Sequence, residues 1–197
     1  MNKITEKVED NIVTFEEFKD LEIADEDFSK IEFRNTEFVN CKLINCNFKN
    51  TYFYRTVFKN CDFSNSDFEN SFLKECKIYD TKGVGASFYK ATLKSVEIEE
   101  VVFKYSNFVK NLWDNVKIIK SDFSESNLME SKLKKVKLKE INLQLANVFH
   151  TLFKGVDLSD SNIQEIVISD DLQELKETTL NPLQAIEVVE LLGIKVI

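Results

Sequence analysis

"FKNCDFSNSDFEN", residues 58–70, sets Phe58, Phe63 and Phe68 five positions apart, and Asn60, Asn65 and Asn70 follow them at the same spacing. A helix repeats its buried face about every 3.6 residues and a strand every two, so an interval of five belongs to neither. The frame extends in both directions, from Val13 to Ile168, with no inserted or missing residue. Every position in it is apolar except Gly83, and most of the 17 Phe lie in this one register. Such self-similarity marks a repeat architecture, in which a unit buries its apolar face only by stacking on its neighbours.

The flanking positions describe the unit. Two before each centre the residue is often small, as at Cys41, Cys46, Thr51, Thr56, Cys61, Ser66 and Ser71. One before it, Asp or Asn recurs: Asn47, Asp62, Asp67, Asn107, Asp122 and Asn127. Two after it, Asn dominates the first half, and Asn tolerates the positive φ of a tight turn. Each pentapeptide is therefore a short extended piece ending in a corner. The centre and the small residue point inward, and the corner faces water. Four units close one square coil of 20 residues, and coils stack at ~4.8 Å with backbone hydrogen bonds between them. About eight coils over residues 13–170 give a rod of roughly 38 Å. The 20-residue spacing predicts a vertical column of rings at Phe28, Phe48, Phe68, Phe88 and Phe108, continued by Leu128, Val148 and Ile168.

The repeat changes after residue 90. Val96, Val101, Val116, Val136, Ile141, Val156 and Ile166 take the formerly small position, and Asn mostly leaves the corner. This predicts fewer positive-φ corners and a looser cross-section there. Gly83, the missing centre, reads either as a local bend or weak point in the solenoid or as a small defect that the fold tolerates.

An open solenoid exposes unpaired edges and needs caps. Residues 1–12 are expected to form a cap or loose segment, and 171–197 a helix and tail. Asn181 with Gln184 reads as a capping box, Pro182 suits the first helical position, and Gly193 ends the helix, which spans about 182–192. Leu183, Ile186, Val189 and Leu192 are its apolar candidates for contact with a second copy.

Composition limits the function. The chain has 197 residues, 43% hydrophobic and 30% charged, with a formal net charge of −8. That balance disfavours direct binding of nucleic acid, which needs cations to displace phosphate counterions. No apolar run approaches the roughly 18 residues of a membrane span, and the start lacks the apolar core of a secretory signal, so the expected location is cytoplasmic. The four Cys form no C-x-x-C pair, and the only His, His150, stands alone at a corner, so neither a metal site nor a catalytic triad is expected. Cys41 and Cys61 fall one coil apart, close enough for a disulfide, but buried reduced thiols suit that compartment better. No cofactor motif occurs, and the chain is read as a non-enzyme.

The repeat resembles the pentapeptide-repeat family over nearly the whole chain. The ending "DLQELKETTLNPLQAIEVVELLGIKVI", residues 171–197, resembles that of the Qnr-type quinolone-resistance branch, as does a glycine at the centre position in "TKGVGASF", residues 81–88. The resemblance implies an all-β fold, a right-handed quadrilateral parallel β-helix with a short C-terminal α-helix, dimerising tail to tail through that helix. It implies DNA gyrase or topoisomerase IV as partner, bound by mimicry of duplex DNA, with fluoroquinolone action lessened. Many members of the branch carry two projecting loops, and this sequence, with no register break, has none. Duplex DNA carries one charge per ~1.7 Å, so a rod of this length would need about 22 negative charges along it. Mimicry therefore requires acids gathered on a strip. They concentrate in residues 9–37 and 157–177, separated by the basic run Lys132, Lys134, Lys135, Lys137 and Lys139. The alternative is a structural or interaction solenoid for another protein partner, without topoisomerase activity. Outward residues in a repeat look alike, so the sequence does not locate the partner-binding face.

Overall fold

The computed structural model describes residues 2–196. Met1 and Ile197, the first residue of the expected N-terminal segment and the last of the apolar tail, lie outside the described residues. The chain winds into a four-walled parallel β-solenoid followed by one short helix, Pro182–Leu191. The first wall stacks seven three-residue strands, from Ile12–Thr14 to Lys132–Lys134, and the second stacks seven more, from Glu17–Lys19 to Lys137–Lys139. Partners are one coil apart, as in Phe33 with Phe53 and Ile98 with Ile118. The third and fourth walls hold strands only at Glu22–Ala24 and Lys42–Ile44, and otherwise single parallel bridges such as Asp62 with Lys82 and Asn107 with Asn127.

The residue before the centre contributes to the difference between the two kinds of wall. On the third and fourth walls it is often Asp or Asn, and its side chain accepts a hydrogen bond from the backbone N–H two residues on. Asp27 accepts from Ser29 at 2.8 Å, Asp67 from Glu69 at 2.9 Å and Asp122 from Ser124 at 2.8 Å. This local bond curls the segment into a turn in place of a three-residue strand. It also holds the Asp27 carboxyl below its ordinary range, the Ser29 N–H contributing most. Where Glu22 and Lys42 occupy the position, the third wall is extended.

The centres fill the interior. Phe28, Phe48, Phe68, Phe88 and Phe108 form the expected column, with successive ring centroids 5.2, 4.8, 4.7 and 4.9 Å apart. Rings on adjacent walls meet edge to face, as Phe58 meets Phe63 at 5.8 Å and 72°. Both arrangements suit the aromatic quadrupole. The small inward residues also carry a polar duty. Thr51 Oγ1 donates to the Phe28 carbonyl at 3.1 Å, Ser66 Oγ to Leu43 at 2.6 Å and Ser106 Oγ to Gly83 at 2.6 Å. Each ties a coil to the one beneath it.

The corners correct one expectation. From Lys90 to His150 every corner residue keeps a φ between 46° and 60°, including Tyr105, Leu145 and several lysines. Closing the square sets the corner, and the stacked hydrogen bonds on both sides override the residue's own preference, which opposes this conformation by roughly 1–2 kcal/mol. The looser cross-section is likewise absent at Val96, Val101, Val116, Ile141, Val156 and Ile166, all buried. Their extra volume compensates for the smaller Leu, Ile and Val centres of that half. Of the Val and Ile residues that take the formerly small position after residue 90, Val136 alone is half-exposed.

Val136 marks a real opening. Both seven-stranded sheets end at Lys132–Lys139, although the chain winds another coil above them. On the third and fourth walls the ladder continues: Leu143, Leu145 and Val148 N–H donate to Asn162, Gln164 and Val167 at 2.7, 2.9 and 3.0 Å. The equivalent N–H groups of Leu133, Lys135 and Leu138 have no partner in the next coil. Asp157 stands before the second-wall centre Leu158 and accepts from Ser159 N–H at 2.9 Å, so this stretch takes the turn form of the other walls. Its backbone no longer parallels Lys137–Lys139. It bonds instead to the segment above, Phe153 N–H to Glu174 at 2.9 Å and Leu158 N–H to Thr179 at 2.9 Å.

Amide hydrogen exchange should resolve this wedge. Leu133, Lys135 and Leu138 are expected to exchange at least about a hundredfold faster than Leu143 and Leu145. Equal protection in both groups would contradict the opening.

Candidate interaction surface

The walls alternate side chains between the packed interior and the outer surface. Among the described residues no group of three or more His, Cys, Asp or Glu is arranged to hold a metal ion, and no helix is long and apolar enough to cross a membrane. His150 is an exposed corner residue whose ring stacks on Phe149 at 3.9 Å. The four cysteines are free and buried in the small inward position. Burial pushes the Cys76 thiol up to about 12. Contact with the Cys41 sulfur, together with burial, pushes the Cys61 thiol upward.

Charge is unevenly divided among the walls. Outside the first wall stand Arg34, Arg55, Lys74, Lys94, Lys134 and Lys154, with Tyr52, Tyr54 and Phe72 among them. Tyr52 lies 5.4 Å from Phe72, and Arg55 and Lys74 sit 4.9 and 5.1 Å from the Tyr54 ring. This wall carries more bases than acids. The second to fourth walls carry more acids than bases, concentrated in the lowest coils at Glu17, Asp20, Glu22, Asp25 and Glu37. Along each wall the charges interleave. Lys42 pairs with Glu22 at 2.6 Å, Arg55 with Glu75 at 2.8 Å, Lys110 with Glu130 at 3.5 Å and Lys120 with Glu100 at 3.7 Å, each one coil apart. Corner side chains form ladders too: Asn60 donates to Asn40 at 2.9 Å and Asn40 to Asp20 at 3.0 Å. The acidity is thus a net bias of three walls, strongest at the N-terminal end, and no uninterrupted strip.

The C-terminal segment caps the rod. Glu174 is fully buried and accepts from His150 N–H at 2.7 Å, Ser169 N–H at 3.1 Å and Ser169 Oγ at 2.7 Å. Burial pushes its carboxyl up, but these bonds outweigh burial and hold it below the ordinary range. The helix begins with the expected capping box, Asn181 accepting from Gln184 N–H at 3.0 Å and Gln184 Oε1 from Asn181 N–H at 2.8 Å. Gln184 Nε2 then donates to the Leu158 and Ser161 carbonyls at 2.7 and 2.6 Å. Val188 packs on the core. Leu183, Ile186 and Leu192 are exposed, Leu183 by 73%, and Val189 is half-buried. Leu191, beside Leu192, and Ile194 and Val196, which follow in the chain, are exposed as well.

Gly83 interrupts the third-wall column of Leu43, Phe63, Phe103 and Phe123 and leaves the ladder intact: its N–H donates to Val102 at 2.9 Å, and Lys82 bridges both Asp62 and Val102. The rings of Phe63 and Phe103, two coils apart, lean into the vacant place until their centroids are 5.8 Å apart. A Cβ on residue 83 would lie 2.5 Å from Phe103 and 2.6 Å from Phe63.

A period-five frame, four walls and inward aromatic columns define a pentapeptide-repeat solenoid. The family model described as a pentapeptide repeat region matches residues 31–108, and the same frame continues on both sides of that stretch. Within residues 31–108 the chain thus carries a recognised pentapeptide repeat region. Its fold is similar to that of QnrB1, described as a plasmid-mediated fluoroquinolone resistance protein, in two trypsin-treated variants. One is 16% identical with a TM-score of 0.55, over 92% of this chain and 100% of that one. The other is 22% identical with a TM-score of 0.51, over 94% and 98%. No curated protein matches the sequence.

Filling the place at Gly83 should harm the fold, although the repeat pattern calls for a side chain there. Gly83→Ala is expected to lower the unfolding free energy by about 1–3 kcal/mol in urea titration. A gain in stability would contradict the packing described.

Proposed function

We propose that this chain is a non-enzymatic cytoplasmic protein that binds a type II topoisomerase, DNA gyrase or topoisomerase IV, and lessens fluoroquinolone action. The observation that carries the reading is the likeness of fold, over nearly the whole chain, to a fluoroquinolone resistance protein. The net acidity of the second, third and fourth walls supports it, because a topoisomerase surface that takes DNA is basic. DNA mimicry then rests on the acid-rich lower coils, where Glu17 and Glu37 stack directly. Over the upper coils, lysines one coil away offset the carboxylates.

The acting form is a homodimer. Leu183, Ile186, Val189 and Leu192 form its seam, with Leu191 beside them, and the helix is flanked by clefts that would receive a partner's side chains. One is about 420 Å³, lined by Ile163, Val188 and Leu191, and the other about 670 Å³, lined by Ile166, Ile168 and Leu192. Exposed apolar surface of this kind favours self-association, and a C2 pair would cover it.

A second reading, an interaction solenoid for another protein, is favoured by the basic, tyrosine-bearing first wall, which has no counterpart in DNA mimicry. Arg and Tyr are enriched among residues that dominate protein interfaces.

A gyrase supercoiling assay separates the two readings. The first expects supercoiling to recover in the presence of ciprofloxacin as the protein is added, and to be inhibited by excess protein alone. Neither effect at micromolar protein eliminates it. Ile186→Glu with Val189→Glu is expected to give monomers in sedimentation velocity, and an unchanged dimer would refute the assigned seam.

A further inference from the structure

The opening above Lys132–Lys139 combines three properties that elsewhere in the rod do not coincide. The backbone is unpaired. The N–H groups of Leu133, Lys135 and Leu138 face the next coil without a partner there, at the ends of both main sheets. The apolar lining is incomplete, since Leu133, Val136 and Leu138 point inward yet are only half-buried. Behind Leu138 lies a small void shared with Trp113, Ile118, Phe123 and Phe153. The charge is positive: Lys132, Lys134, Lys135, Lys137 and Lys139 surround the edge, all exposed. Of these only Lys134 and Lys139 pair with an acid among the described residues, at 3.7 and 3.6 Å.

We propose that the edge of Lys137–Lys139 is a strand-addition site for an extended, acidic peptide segment of a partner protein. The cleft beside it, about 390 Å³, is bounded by Lys117, Val136, Lys137, Leu138 and Lys139 below and by Gly155, Asp157 and Asp160 above. A strand laid in it accepts from Leu138 N–H and donates to the Val136 carbonyl, continuing the parallel ladder that stops there. Strand addition of this kind takes its affinity from main-chain bonds and its specificity from alternate side chains. An inward apolar side chain covers Leu138 and the void. Outward acidic side chains meet Lys117, Lys137 and Lys139, which selects an acidic strand over a basic one. Asp157 and Asp160 repel an acid on the far rim, and Asp160 already accepts from Glu140 N–H at 3.1 Å, so the peptide's acids are confined to the lysine side. Lysines along an open edge also explain how the free chain avoids pairing with itself there. The site is separate from the acidic walls and the C-terminal helix, and it does not depend on the topoisomerase reading.

The test titrates the full chain against a short fluorescein-labelled peptide of alternating Glu and Val, reading anisotropy and the emission of Trp113, the only tryptophan. Saturable binding is expected, with a shift in Trp113 emission. A peptide N-methylated at alternate bonds, which cannot complete the ladder, is expected to bind at least about tenfold more weakly. Lys137→Glu with Lys139→Glu should weaken the unmodified peptide by about tenfold or more and leave the fold intact, since both side chains are exposed. Leu138→Pro removes the unpaired donor and should have the same effect. The proposal is overturned if the unmodified peptide does not bind. It is also overturned if the N-methylated peptide binds equally well, which would mean attraction by charge alone. It falls as well if the lysine substitutions dissolve a self-associated form in sedimentation, which would make a second copy the occupant.

Discussion

The structure depends on one constraint. A chain that buries a side chain every fifth residue must turn a corner between burials, and the corner must repeat in the same sense to close a square. The left-handed corner conformation is unfavourable for residues other than Gly, and less so for Asn and Asp. It is held because each corner is stacked between others. Lys110 N–H donates to Met129 and Leu145 N–H to Gln164, both at 2.9 Å, and the rings inside leave no room for another path. Tyr105 and Leu145, poor residues for this conformation, adopt it for that reason. Asn is the favourable choice where it occurs, and its amide also joins the vertical ladders at Asn40 and Asn60.

The walls are equivalent in the sequence frame and unequal in structure. An Asp or Asn before the centre caps a turn in place of a three-residue strand, and stacking on such coils carries the turn form to Lys82, Ser87 and Val102, which lack that cap. On the second wall the wedge coincides with the same bond out of place. Asp157 brings the turn form to a wall built of strands, and the coils on either side no longer match. The mismatch leaves main-chain donors, half-buried leucines and unpaired lysines together at one level of the rod. The same regularity that makes the remaining surface uniform makes this level distinct.

Much of this was legible in the residues. The column from Phe28 to Phe108, the capping box at Asn181 and the inward thiols follow from spacing and side-chain chemistry alone. The corners after Lys90 did not, because residue preference is a local quantity and the corner is imposed by coils above and below. Gly83 shows the same limit. Its missing side chain is plain in the spacing, but that Phe63 and Phe103, in coils on either side, lean into the space is not. The interleaving of acids and lysines was implicit in the 20-residue spacing, as at Glu22 with Lys42. The consequence for any partner appears only when whole walls are compared. The wedge was hidden because Val136, Leu138 and Asp157 all fit the repeat pattern individually.

For a partner, the rod offers a basic aromatic wall, three net-acidic walls, an apolar end and an open edge, all positioned by the winding. The most direct test of that winding is a distance between two corners of one column. Nitroxides on Asn45→Cys and Glu125→Cys, both exposed, can be read by pulsed electron resonance, the four native thiols being buried. Four coil rises of ~4.8 Å place the two Cα atoms about 19 Å apart, with a narrow distribution broadened only by the labels. A mean separation beyond about twice that 19 Å, or a broad distribution, would contradict the square coil and everything placed on its walls.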